Sequence, residues 1–189
     1  MNIVLVSDVF GLTPALLDMA KKLEACMIIE PYKGQSMEFQ NETDAYTYFV
    51  NNVGLDNYLA HLSKTVGRIE NPVTLIGFSV GASVVWRLSA IKSNKFIKQA
   101  FCYYGSQIRN FTEIEPNFKI NLVFPLSEPH FDVVELQSRV YNKSNVETHT
   151  AHYLHGFMNY YSSNFSETGY TEHIDLLRSI AKRNASNNK

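Results

Sequence analysis

The stretch Leu75-Ile76-Gly77-Phe78-Ser79-Val80-Gly81 constrains the backbone more than any other part of this chain. An apolar run ends in a serine with glycine two residues before it and two residues after it, and residues 82–91 then carry apolar side chains at helical spacing. A strand has to turn into a helix there within a few residues. Side chains at the two flanking positions would collide with neighbouring backbone, so glycine fills both. The serine then stands at a strand end over a helix N-terminus, where free N–H groups and the positive end of the helix dipole gather. Ser79 is placed as a nucleophile would be, and the Val80 N–H points where an oxyanion would form.

The rest of the pattern alternates. Short apolar runs at 3–6, 26–29, 73–78, 98–104, 120–125 and 146–153 read as strands, and helical spacing occupies 14–23, 82–91, 131–141 and 171–183. A longer helical stretch at 43–67 is interrupted near 51–54. Strands alternating with helices predict a mostly parallel sheet of about six strands with helices on both faces. Ligands then gather at the carboxyl ends of the strands. Residues 1–184 are expected to form one domain and 185–189 a frayed polar tail.

Composition excludes several alternatives. A formal net charge of -1 offers no attraction to nucleic acid or an anionic membrane. The N-terminus lacks a basic segment, and its apolar run is too short for a signal peptide or a membrane span, so a cytoplasmic protein is expected. Cys26 and Cys102 both fall in strand-like runs and read as buried free thiols of a reducing compartment. No Cys/His spacing suggests zinc.

A serine nucleophile needs a base. Of the six histidines, His61 and His173 lie in helical stretches, His149 and His152 lie on the last strand or its edge, and His130 lies in an open loop. His155 follows the last strand in Tyr153-Leu154-His155-Gly156-Phe157, where a loop base would project over the sheet.

Five segments together resemble the dienelactone hydrolase family of α/β-hydrolases: Asp8-Val9-Phe10-Gly11-Leu12-Thr13-Pro14, Glu30-Pro31-Tyr32, Gly77 to Gly81, Tyr103-Tyr104-Gly105, and His155-Gly156-Phe157 with Asn159. They occur in the family's order and run nearly end to end. The resemblance implies an α/β-hydrolase fold, minimal and without a large lid. It also implies Ser79 as nucleophile, His155 as base and an oxyanion hole from the Val80 and Val9 N–H groups. The order nucleophile, acid, histidine is that of the superfamily. The implied partner is a small-molecule ester or lactone, with no metal or organic cofactor.

The chain departs from the family in three respects. Dienelactone hydrolase proper uses cysteine where Ser79 stands, which leaves the role of Asp8 beside a serine open. The usual position of the acid aligns with Pro129. Glu128 is the favoured acid because it lies in the loop, whereas Asp132 starts a helix, where an acid also serves as a cap. The chain is also short, so the site is expected to be open. Phe10, Tyr104, Gln107, Arg109 and Phe157 are the candidates for lining it, and an arginine there would favour a carboxylate-bearing substrate. A thioesterase or peptidase on the same fold, and a non-catalytic hydrolase-like binding protein, remain as alternatives. Oligomeric state is not legible.

Overall fold

In a computed structural model, which describes residues 2–92 and 95–186, strand β1 (Asn2–Val6) sends alternate side chains to opposite faces of the sheet, and from Ile3 onward both sets are buried. Ile3 and Leu5 enter one apolar cluster, and Val4 and Val6 enter another. A strand buried on both sides reads as a continuous apolar run, which is why β1 and β3 (Val73–Phe78) carry almost no polar residue. Four further strands complete the sheet: β2 (Met27–Ile29), β4 (Ile97–Tyr103), β5 (Lys119–Phe124) and β6 (Val146–Thr150). The order is β2-β1-β3-β4-β5-β6, and every neighbouring pair is parallel.

Helices cover both faces. The cluster around Ile3 and Leu5 receives Met19 and Leu23 at the end of α1 (Pro14–Lys22), and Ile174 and Leu177 from α6 (Glu167–Ser186). The opposite cluster is filled from α2 (Glu42–Asn52), α3 (Gly54–Val66), α4 (Val80–Ser89) and α5 (Val133–Val140). Capping sets several helix starts. Pro14 is the first helical residue of α1 and Thr13 accepts the Leu16 N–H at 3.1 Å; Asn41 accepts the Asp44 N–H at 2.9 Å at the start of α2.

Strand order reverses direction between β1 and β3. Their carboxyl ends lie side by side, with Val6 opposite Gly77. This is the switch point at which open parallel sheets leave a crevice for ligands. The Tyr58 hydroxyl, on α3, lies 3.0 Å from the carbonyl oxygens of both Ser7 and Ile29 and ties down the ends of β1 and β2.

Two helix starts differ from the sequence reading for packing reasons. Helix α4 starts at Val80 rather than 82, and α6 starts at Glu167 rather than 171. A glycine lies in the first turn of each, Gly81 and Gly169, and weakens helix propensity there. Both glycines are required by close approach. A side chain at Gly169 would stand 2.8 Å from the Tyr153 ring and 2.9 Å from that of Phe157. The break expected near 51–54 occurs at Val53, between α2 and α3. Strand β6 ends at Thr150, three residues early, and a short 3-10 helix, Ser106–Asn110, follows β4. Cys26 precedes β2 and is exposed, contrary to the expectation of burial, whereas Cys102 is buried. Helix α6 continues to Ser186, two residues into the expected frayed tail; residues 187–189 lie outside the described residues. No helix among the described residues is long and apolar enough to cross a membrane.

The two glycines of the turn show how closely α4 is pressed onto the sheet. A Cβ at Gly81 would lie 2.3 Å from the Ser7 carbonyl oxygen and 2.4 Å from that of Val6. One at Gly77 would lie 2.8 Å from the Ala82 Cα. These are backbone atoms that cannot swing aside. Gly81→Ala is therefore expected to destabilise the protein by about 3 kcal/mol, the upper range for overpacking, measured by urea unfolding. An unchanged midpoint would mean that α4 does not sit this close to β1.

Candidate active site

The turn at Ser79 holds an unusual backbone. Ser79 has φ 51° and ψ -114°, a combination sparsely used by residues with a side chain and costing on the order of 1–3 kcal/mol. The surroundings fix it. The Ser79 N–H donates to the Tyr103 carbonyl at 3.0 Å, and its own carbonyl accepts from the N–H and the hydroxyl of Ser83.

His155 lies above this turn. Its Nε2 is 3.1 Å from Ser79 Oγ, and its Nδ1 is 2.6 Å from Glu128 Oε1. A carboxylate only accepts hydrogen bonds, so the imidazole proton belongs on Nδ1 and Nε2 faces the serine hydroxyl as an acceptor. The Glu128 side chain is 6% exposed and that of His155 is 17% exposed. Water therefore competes little for this pair. Glu128 and His155 meet because their loops leave the sheet together. The Leu126 N–H donates to the Tyr153 carbonyl at 2.7 Å, and the Ala151 N–H donates to that of Phe124. Asn164 donates to the His155 carbonyl at 2.9 Å, and the Tyr104 ring packs 5.0 Å from the imidazole.

The Val80 N–H opens helix α4, and the Val9 N–H lies in the turn after β1. Among the described residues, neither donates a hydrogen bond. The close approach of Gly81 to Ser7 brings these two turns together.

Several expected site residues are occupied elsewhere. Asp132 is exposed and caps α5, accepting the Val134 and Glu135 N–H groups at 2.8 and 3.2 Å, so its partner is a helix end and not His155. Phe157 does not line the site: it is fully buried, with its ring 5.0 Å from those of Tyr153 and His173. Phe10 is likewise buried, against Tyr161. Both aromatics sit where the core needs volume, which their motif positions did not reveal. Arg109 donates to the Ser106 carbonyl at 2.6 Å and lies over the Phe131 ring, and Gln107 reaches the Tyr46 hydroxyl. The arginine that would have favoured a substrate carboxylate is thus committed to its own loop. His130 is exposed.

Asp8 makes no hydrogen bond to Ser79 among the described residues. Its Oδ1 accepts the Phe10 N–H at 3.0 Å, and its Oδ2 accepts from the Asn159 side chain. This joins the turn after β1 to the segment after His155. Burial raises the Asp8 pKa to about 6, although both hydrogen bonds and the nearby His155 oppose the shift. Because the folded value lies above the ordinary 3.8, the contribution of Asp8 to stability is fully present below pH 3.8 and is lost as pH rises through about 6. His173, whose pKa is lowered by burial, acts in the opposite sense in acid. The Asp8 effect is therefore isolated by difference. Asp8→Asn is expected to gain stability relative to wild type as pH rises from 4 to 7, by on the order of 2 kcal/mol, in urea titrations at each pH. A difference independent of pH would mean that the carboxyl is not desolvated.

A cavity of about 630 Å³ lies beside the Ser79–His155–Glu128 cluster, between the turn after β1, α1 and the start of α6. Asp8, Phe78, Tyr104, Asn159, Phe165 and Tyr170 are among its walls; Ser79 and His155 are not. Among the described residues, the Tyr104 hydroxyl is the one buried side-chain polar atom without a hydrogen-bond partner. No cluster of three or more His, Cys, Asp or Glu that could hold a metal occurs among the described residues.

Solved structures with this arrangement of strands and helices exist. A dienelactone hydrolase from Anabaena variabilis superposes with a TM-score of 0.65 at 10% identity, over 95% of this chain and 84% of that one. An α/β serine hydrolase homologue from Coxiella burnetii gives 0.62 at 12% identity, over 95% and 84%. The chain has the α/β-hydrolase fold. A dienelactone hydrolase-like promiscuous phosphotriesterase from metagenomic libraries shares this fold too, with a TM-score of 0.59 at 11% identity over 94% of this chain and 85% of that one. Dienelactone hydrolase-like proteins among the structural neighbours agree with the resemblance carried by the five sequence segments. Among curated proteins, the uncharacterized protein YczH of Bacillus subtilis is 25% identical over 192 residues, spanning 95% of this chain and 92% of its own length. No protein-family model matches the chain.

Proposed function

We propose that this α/β-hydrolase-fold protein is a serine hydrolase of the dienelactone hydrolase type, cleaving a small ester or lactone through an acyl-enzyme. The observation that carries the reading is the unbroken relay from Ser79 Oγ to His155 Nε2 at 3.1 Å and from His155 Nδ1 to Glu128 at 2.6 Å. Nε2 takes the serine proton as Oγ attacks the carbonyl carbon. The carbonyl oxygen gains the negative charge, and the unengaged N–H groups of Val80 and Val9 would bind it. Collapse of the tetrahedral intermediate expels the alcohol, which takes the proton from His155. Water, deprotonated by the same histidine, then releases the acid and restores Ser79. Glu128 stabilises the imidazolium formed in both halves. These steps require no metal or organic cofactor. The neighbouring cavity has a volume usual for small-molecule sites and has aromatic walls, which favours an apolar acyl or alcohol group.

The test is reaction with a fluorophosphonate probe followed by peptide mass spectrometry, alongside p-nitrophenyl ester, thioester and amide substrates. Modification at Ser79 with preference for oxygen esters is expected. Faster thioester or amide turnover would replace the ester reading. An unmodified Ser79 would favour a binding protein without catalysis.

A further inference from the structure

The two peptide units that meet at Val9 are each held by hydrogen bonds that leave only the Val9 N–H, on the Asp8–Val9 unit, without a partner. The Tyr32 hydroxyl donates to the Val9 carbonyl at 2.6 Å. Asp8 Oδ1 accepts the N–H of Phe10, the next residue, and the Asp8 carbonyl accepts the Gly11 N–H at 3.2 Å. Rotating the peptide that follows Val9 would break the Tyr32 bond, the Phe10 bond, or both. Tyr32 is itself braced. Glu30, a buried carboxylate, accepts the backbone N–H groups of Tyr32 and Gly34 and fixes the turn that carries the ring. Phe39 and Tyr48 both pack edge-on against the Tyr32 ring, with centroids 5.8 Å away. Gly11 has φ +69°, and a Cβ there would stand 2.6 Å from the Tyr32 ring, so the glycine makes room for this tyrosine. Burial and the neighbouring Asp8 charge raise the Tyr32 pKa, so the hydroxyl remains a donor.

We infer that Tyr32 is a positioning residue for the oxyanion hole: its hydroxyl sets the orientation of the Val9 backbone, and Glu30 holds Tyr32 in place. The inference rests on the serine hydrolase reading above. Tyr32 does not touch the reacting atoms. A hydroxyl acting this way changes how well one oxyanion donor is aimed while leaving substrate binding unaltered. Its loss should therefore appear in kcat and not in KM.

The experiment is steady-state hydrolysis of p-nitrophenyl acetate by wild type, Tyr32→Phe and Ser89→Ala, with kcat expressed per site titrated by the fluorophosphonate probe. Counting only reactive sites removes any loss of folded protein. Ser89→Ala deletes a buried hydroxyl bonded to the Trp86 carbonyl at the far end of α4, and reports what a lost buried hydrogen bond does by itself. Tyr32→Phe is expected to lower kcat about tenfold, less than the ~10²–10³ lost on deleting such a donor outright. KM should stay within about twofold, and Ser89→Ala should match wild type per titrated site. Wild-type kcat in Tyr32→Phe, or a change confined to KM, would overturn the inference while leaving the hydrolase reading intact. A wild type that neither reacts with the probe nor turns over the ester would overturn both.

Discussion

On the proposed serine hydrolase reading, Ser79→Ala is expected to lower ester hydrolysis by on the order of 10⁴–10⁶ while leaving the fold in place. The size follows from what the hydroxyl does. Without Oγ no acyl-enzyme forms, and the remaining groups can only assist direct attack by water. The Val80 and Val9 N–H groups and the His155–Glu128 pair are still present, so activity falls to the residual level that such groups support. The fold should tolerate the change because the turn is held by backbone. The Ser79 N–H binds the Tyr103 carbonyl, its carbonyl binds Ser83, and its side chain contributes no cap to α4. Alanine retains the positive φ of that position with similar strain. The measurement is kcat/KM for p-nitrophenyl acetate with circular dichroism on the same sample. A variant with full activity and native structure would remove Ser79 from the mechanism.

Glu128→Gln is expected to lower kcat by about 10³–10⁴, and Asp132→Ala to leave it near the wild-type value. Glutamine preserves the shape of the side chain but removes the charge that stabilises the imidazolium. Its amide can also donate to Nδ1, which would place the histidine proton on Nε2, facing the serine. The side chain is 6% exposed, so solvent offers little replacement for the lost charge. Asp132, by contrast, satisfies two backbone N–H groups at the start of α5. Its loss should lower stability by about 1 kcal/mol, as expected for a helix cap. Measuring kcat and urea midpoints for both variants separates the roles. Loss of activity in Asp132→Ala with a silent Glu128→Gln would reverse the assignment.

The two variants also mark how far the sequence could go. The elbow was legible because the close approach of α4 to the sheet demands glycine at fixed offsets on both sides of Ser79, and fixed offsets are visible in one dimension. His155 was legible because it follows the last strand directly, in a short motif. The acid was not decided, because Glu128 and Asp132 are both carboxylates near the same strand end. A hydrogen bond between the Leu126 N–H and the Tyr153 carbonyl carries one loop to the other, and backbone pairing of that kind leaves no mark in residue identity. Tyr32 and Asn159 were visible as parts of motifs, but their bonds to the turn after β1 span 23 and 151 residues. Phe10 and Phe157 were misread as lining the site because an aromatic in a functional motif looks the same whether it faces a ligand or fills the core.

Local chemistry therefore determined the alternation of strands and helices, the turn at Ser79, and the caps at Thr13 and Asn41, since each depends on residues a few positions apart. Tertiary structure alone decided which face each aromatic occupies, which carboxylate meets His155, and that Asp8 binds Asn159 and the Phe10 backbone instead of the serine. These outcomes depend on the order β2-β1-β3-β4-β5-β6, which lays the ends of β1 and β3 side by side and fixes distances between residues far apart in the chain.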